Sequence, residues 1–346
     1  MISSPDLTNT RSRLADWLEL RAIFSNNGAG EADLLSIARL TSDDHRDREI
    51  DDSGAVLEEE ILDQEPESVL ARVSDEIGHR AEILKDEYPF LVTLPFRLSL
   101  KPFNELTAPQ WTYLFLLLLS GQRDKALPTS DRIAELVRKG RVLFHACASV
   151  GVAGLLRNGG TIWFGSPRPD GLSFLQALAS VCERLGYGKA KATIPAGLPT
   201  RPQDDGIDVI GWRQFRDARN GGLLVICQAA TGDNWDEKSV IGAVETFRAW
   251  FDRELYAKAT ASIALPFPAN HDVPEHPLEG YEAAVHTALH RSQYKHGVLI
   301  DRCRIVESVV DVMADKKNAD AVGGLDKLLE LEQWVRETIE AVREAA

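Results

Sequence analysis

Residues 204–238 read DDGIDVIGWRQFRDARNGGLLVICQAATGDNWDEK, two short apolar runs joined by a polar turn that contains paired glycines. Such a pattern predicts a β-hairpin. Its first run, residues 207–212, carries Asp208 among apolar neighbours, and its second, residues 223–230, carries Gln228. Strands of that composition are buried, and a buried carboxylate or amide requires a partner. Side chains on paired strands can share one partner, and a divalent cation that takes oxygen ligands satisfies both. The rest of the chain has to build a sheet that buries this hairpin.

With 346 residues the chain can bury a large core and form more than one domain. Before the hairpin the apolar spacing is mostly helical: residues 10–24, 32–40, 67–85 and 108–119 each read as a helix. Residues 90–100 (FLVTLPFRLSL) read as one strand with Pro95 at a bulge or edge. Residues 1–125 are therefore expected to form a helical N-terminal module. Helices at 131–138 and 141–157 follow, then a strand at 161–165, a loop at 166–170 and a helix at 172–185. Beyond the hairpin come a helix at 238–253, strands at 261–267 and 297–300, a helix at 302–313 and a charged C-terminal helix at 325–344. The expected fold class is α/β (α+β), a helical module followed by a mixed sheet flanked by helices. The expected divisions are residues 1–125, an α/β domain at 126–320 and a C-terminal helix at 321–346.

Charge is unevenly spread. Residues 42–67 hold 12 acidic and 2 basic residues, so only −4 of the net charge of −14 lies elsewhere. Residues 121–168 reverse the balance, with 8 Lys/Arg against 3 Asp/Glu, which is compatible with a basic surface that meets an acidic polymer. The longest apolar run, residues 113–119, is too short to span a bilayer. The N-terminal residues lack the apolar stretch of a secretory signal, so a cytoplasmic location without membrane contact is expected. Four cysteines lie 35, 45 and 76 residues apart, spacings that fit neither a zinc site nor a disulfide scaffold. P-loop, GxGxxG, HExxH and GxSxG motifs are all missing.

DGID, followed about twenty residues later by a strand ending in QA, resembles the core of the PD-(D/E)XK nuclease superfamily. The likeness is to its Mrr-like branch. The succession YPF, FGSPRP, DDGIDVIGW, QAATGDNW and GVLIDRCRI also resembles restriction-endonuclease-like proteins of bacterial defence loci. That resemblance implies a DNA nuclease with Mg²⁺ (or Mn²⁺) held by Asp208 and Gln228, acting in antiphage defence. DNA, other defence-system proteins and a second copy of the chain are the partners it implies. Phosphodiester hydrolysis needs a cation to neutralise the charge of the transition state and to acidify an attacking water.

Asp205 would bind through water or cap its turn. Where such proteins carry a lysine two residues after the second ligand, this chain has Ala230, on the same strand face as Gln228. Lys238 is the candidate replacement, and Arg219 a second one. The helix that would supply an upstream acid has His145 instead, and Glu183 lies on a later helix. Each residue also has a structural reading: Asp208 as a hydrogen-bonded strand-end residue, Gln228 as a satisfied core amide, Lys238 as an exposed helix-start lysine. Trp212, Trp235 and Trp250 read as core anchors. Asp301, Arg302 and Arg304 read as an internal ion pair at a strand-to-helix junction, with phosphate contact as the alternative. Two functions follow from the same fold: a metal-dependent nuclease, or a binding and scaffold subunit whose hydrolytic site has decayed.

Overall fold

The computed structural model describes residues 2–5, 9–36, 66–157, 159–198, 205–217, 219, 221–237, 239–253, 255, 258–274, 280–315 and 318–345. Residues 37–65, most of the acidic stretch, and Lys238 lie outside the described residues.

Helix α1 (Arg11–Phe24) is capped by Thr10, whose side chain accepts from the Arg13 N–H. It packs with α2 (Pro66–Leu84) and α3 (Ala108–Arg123) beside a small antiparallel sheet. That sheet orders β1 (Ala29–Gly30), β3 (Arg97–Leu100) and β2 (Phe90–Thr93). Residues 90–100 are thus two strands rather than one. Residues 94–96 turn the chain so that Phe90 pairs with Leu100, as a proline that cannot donate to a ladder favours.

The main sheet has five strands in the order β10–β9–β7–β6–β4. Its first half is an antiparallel meander of β4 (Gly160–Trp163), β6 (Val209–Arg213) and β7 (Leu223–Ala229). The predicted hairpin is present, with Val209 opposite Cys227 and Arg213 opposite Leu223. Crossover helix α6 (Val240–Phe247) then leads to β9 (Thr260–Ala264), parallel to β7, and α7 (Tyr281–His296) leads to β10 (Val298–Ile300), parallel to β9. Residues 238–253 do not form one helix. After Phe247 the chain tightens into a 3₁₀ turn and becomes β8 (Phe251–Arg253), which pairs with β5 (Lys189–Ala190). The aromatic and β-branched residues that gave this stretch its apolar period serve a strand equally well.

Helix α4 (Asp131–Leu155) covers one face of the sheet as a single 25-residue helix, continuous through Lys139-Gly140 where two were expected. Gly140 persists inside it because a Cβ there would lie 2.7 Å from Trp334 Cζ2. Trp334 sits on the last helix, α9 (Leu329–Glu344), while α8 (Arg302–Ala314) runs against α4 at Gly151 and Gly154. On the other sheet face lies α5 (Phe174–Leu185), with α6. The molecule is therefore a mixed α/β protein, with a helical N-terminal region and a five-stranded mixed sheet between helices.

Two cores result. One holds Ile162, Phe164, Ile210, Leu224, Ile226, Ile263 and the fully buried Trp250 beneath α5 and α6. The other runs without interruption from Leu14, Leu18, Val73 and Phe115 to Phe144, Val209, Val225, Cys227, Val306 and Trp334. This second core crosses residue 125, so α1–α3 and the α/β part share one interior. Among the described residues no helix is long and apolar enough to cross a membrane.

Candidate functional site

The hairpin enters β6 through an irregularity. Ile207 and Ile210 belong to the α5/α6 core while Val209 belongs to the α4 core, so two residues separate successive inward positions on one face where a regular strand has one. Asp208 sits at this kink. Its N–H donates to the Cys227 carbonyl (2.9 Å), and its own carbonyl accepts from both Phe164 and Gly165 (2.8 Å each). A bulge of this kind re-aims a side chain, and here it turns the carboxylate toward α4.

Asp208 Oδ2 accepts from the Ala229 N–H at 2.8 Å, and Oδ1 lies 3.2 Å from His145 Nε2 on α4. The pair is nearly buried, with 11% and 12% of the two side chains exposed. Trp163 meets the imidazole edge-on at 5.4 Å between ring centres. Gly165 completes the enclosure, because a Cβ there would come within 2.5 Å of Asp208 Oδ1 and 3.1 Å of His145 Cε1. His145 Nδ1 is buried and has no hydrogen-bond partner among the described residues. The imidazole therefore meets the protein's polar groups through Nε2, in contact with Asp208. Burial, and to a lesser degree the charge of Asp208, push the neighbouring Cys227 thiol up to about 12, so this cysteine is no nucleophile.

The other predicted residues are not gathered here. Gln228 alternates with Cys227 and Ala229 of the α4 core and falls in step with Leu224 and Ile226, on the α5/α6 face. Asp205, at a positive φ of 55°, accepts from the Trp250 indole N–H at 2.7 Å and thereby serves the α5/α6 side. Arg219 lies in the exposed hairpin turn, where its N–H donates to Asp217, and Glu183 is exposed on α5. Lys238 lies outside the described residues, although the loop leading to it is firmly held. Asp233 pairs with Arg123 of α3 (3.0 Å), Trp235 Nε1 donates to Asp272 (3.1 Å), and Asp236 meets Lys295 and His296 of α7.

Sequence reasoning missed a second polar centre, between α1–α3 and the carboxyl ends of β9 and β10. Asp16 accepts from Arg302 through both oxygens (2.8 and 2.6 Å) and from Arg80 at 2.7 Å. Glu19 accepts from Arg80 (3.0 Å), Tyr88 (2.7 Å) and Tyr113 (2.8 Å). All of these side chains are buried. Burial raises the Asp16 pKa, but Arg302 and Arg80 outweigh it and hold the carboxyl below the usual carboxylate range. At Glu19 burial prevails over Arg80, and the pKa is raised. Arg302 is ion-paired in the interior, but with Asp16 rather than within the Asp301–Arg304 stretch, where Asp301 instead caps α8 by accepting from the Arg304 N–H at 3.1 Å. The one signal was two acids three residues apart, Asp16 and Glu19, set among the apolar residues 14–20 of an amphipathic helix.

In both centres the candidate ligand atoms already have other partners. Asp16, Asp124 and His271 bring ligand atoms within 4.8 Å of one another. Yet Asp16 already bears two guanidinium groups, and His271 Nε2 is engaged with Asp124 at 2.7 Å. A metal there would face two fixed cations bonded to its own ligand. At the hairpin, one oxygen of Asp208 is held by a backbone N–H and the other lies 3.2 Å from the His145 imidazole, Gln228 occupies the other face, and Ala230 offers no charge. No protein-family model, curated protein or solved structure matches this chain.

Proposed function

We propose that this protein is a nucleic-acid-binding subunit built on a restriction-endonuclease-like core, in which the position expected to hold a catalytic metal has become a structural His–Asp pair. One observation carries this reading: Asp208 Oδ2 accepts from the Ala229 N–H while Oδ1 lies against His145 Nε2 at 3.2 Å. A carboxylate so placed braces the junction of α4, β4, β6 and β7, and it would have to give up the charge-assisted hydrogen bond from Ala229 and its contact with the imidazole to take a cation. Ala230 supports the same view, because it leaves no ammonium two residues beyond Gln228. The antiphage setting implied by the resemblance suits such a subunit as the nucleic-acid-engaging part of a larger complex.

The hydrolytic reading draws on one feature as well. His145 stands beside Asp208 on the helix from which an upstream acid was expected, and two ligands of one cation also lie about 3 Å apart. An assay separates the two. The full chain is incubated with supercoiled plasmid, single-stranded circular DNA and an RNA transcript, in Mg²⁺ or Mn²⁺, beside Asp208→Ala. No divalent-dependent cleavage above the variant is the expected result. Cleavage that Asp208→Ala abolishes, while the variant remains cooperatively folded at the assay temperature, sinks the binding reading.

A further inference from the structure

We infer that the turn of the β6–β7 hairpin, residues 214–222, is a contact surface for single-stranded nucleic acid, with Phe215 stacking on a base and Arg216 and Arg219 meeting phosphates. The inference deepens the reading above by naming the surface that takes the polymer, at the opposite end of the sheet from Asp208.

Phe215 is 69% exposed in the polar turn, and Leu223, opposite Arg213 where β7 begins, is 59% exposed. A phenylalanine presented to water has no role in the core. The turn is held in place nonetheless. Arg213 Nη1 donates to the Leu156 carbonyl at 2.9 Å at the end of α4, and Gln214 Nε2 donates to the Leu185 carbonyl at 2.7 Å at the end of α5. These two side chains are spent on helix carboxyl ends, the usual structural use of polar groups there. Further along, Arg216 and Arg219 are exposed, as are Arg157 and Arg184 at the two helix ends that the hairpin touches.

None of these four arginines makes an ion pair among the described residues, whereas exposed Arg132, Arg248 and Arg336 are paired with glutamates. Asp217 and Glu183 are the nearby acids, and Asp217 accepts from the Arg219 backbone N–H. In a chain of net charge −14, exposed arginines without ion pairs among the described residues, in the same turn as a bare aromatic ring and at the helix ends it touches, make a locally positive, stacking surface. A ring standing clear of the fold can stack only on a base face that is itself exposed, which a single strand offers and a duplex hides. Phe215 lies seven positions beyond Asp208, across the length of β6, roughly 20 Å at the rise of a strand.

The test is fluorescence anisotropy of the full chain, in EDTA, with a labelled oligothymidylate of about 20 nucleotides, longer than one stacking groove occupies. A duplex of equal length and vesicles of phosphatidylcholine with phosphatidylglycerol are measured in parallel. Arg216→Glu/Arg219→Glu should weaken single-strand binding at least tenfold and lower the slope of log affinity against log salt by about 1.4, at about 0.7 for each phosphate no longer neutralised. Phe215→Ala should weaken single-strand binding about tenfold and leave duplex binding nearly unchanged. All three residues are exposed, so unchanged melting temperatures confirm the fold. The inference is overturned if the charge reversal has no effect, if Phe215→Ala affects both polymers alike, if no oligonucleotide binds, or if only the anionic vesicles do. Metal-dependent cleavage in the separate assay would remove the non-hydrolytic reading and leave these variant comparisons standing.

Discussion

Asp208 and Asp16 show how differently a buried carboxylate can be satisfied. Asp208 is held by one backbone N–H and contacts one imidazole, so Asp208→Ala leaves the Ala229 N–H without its acceptor and the His145 ring without its polar neighbour. Chemical denaturation should register a loss of about 1–3 kcal/mol. Asp16 is held by two arginines in a fully buried setting, and removing its charge strands both guanidinium groups. Asp16→Asn is expected to cost about 3–5 kcal/mol at neutral pH. The sign of its pH dependence follows from the depressed pKa. The Asp16 contribution is fully present above the unfolded value near 3.8 and is lost as pH falls through the lower folded value, so the gap between wild type and variant narrows in acid. Glu19 behaves oppositely, because its raised pKa makes the ionised form a cost at neutral pH that acid relieves. Glu19→Gln should therefore be milder than Asp16→Asn at pH 7. A larger loss for Glu19→Gln across a denaturation series in pH would contradict this account.

At the scale of elements, contact geometry overrides local preference. Replacing Gly140 with Ala favours an isolated helix by about 1 kcal/mol. In α4, however, the added methyl would meet the indole of Trp334, which is 1% exposed and fixed by donating to the Leu136 carbonyl at 2.7 Å. Overpacking typically costs about 1–3 kcal/mol, so Gly140→Ala should lower stability despite the helical gain. A raised melting temperature would show that Trp334 can yield. The same logic explains where element reading failed. Residues 131–155 looked like two helices because Lys139-Gly140 interrupts the apolar pattern, yet the glycine is where α4 makes room for Trp334 of another helix. Residues 238–253 looked like one helix because Val, Phe and Trp suit both periods, and pairing with β5 decides for a strand at the end.

At the scale of the whole molecule, one apolar core and one buried ionic network join α1–α3 to the sheet. Residues of α1, α2 and α3 share a hydrophobic cluster with α4, α8 and α9, and Asp16 reaches Arg302 across 286 positions of sequence. The full chain should therefore lose the helical region and the sheet together. A chain cut to residues 126–346 would bare that core and leave Arg302 without a counter-ion, so we expect it to be insoluble or molten. Calorimetry of the full chain should give one transition spanning both parts. A separate earlier transition for the N-terminal region, or a soluble and cooperatively folding 126–346 fragment, would contradict the shared core.

Local signals in the sequence determined the hairpin, most helices and the mixed α/β class, because periodicity and turn chemistry act over a few residues. They also singled out Asp208 and Gln228 as unusual, since a polar group inside an apolar run is conspicuous at any distance. Only the tertiary structure decided what those residues do. A one-residue irregularity at the entry to β6 turns Asp208 toward His145 while Gln228 stays in step with the opposite face, and a bulge leaves no trace in an alternation of apolar residues. The pairing of Asp16 with Arg302 was equally invisible, because a buried charge chooses its partner by proximity in space, which a linear order of residues does not contain.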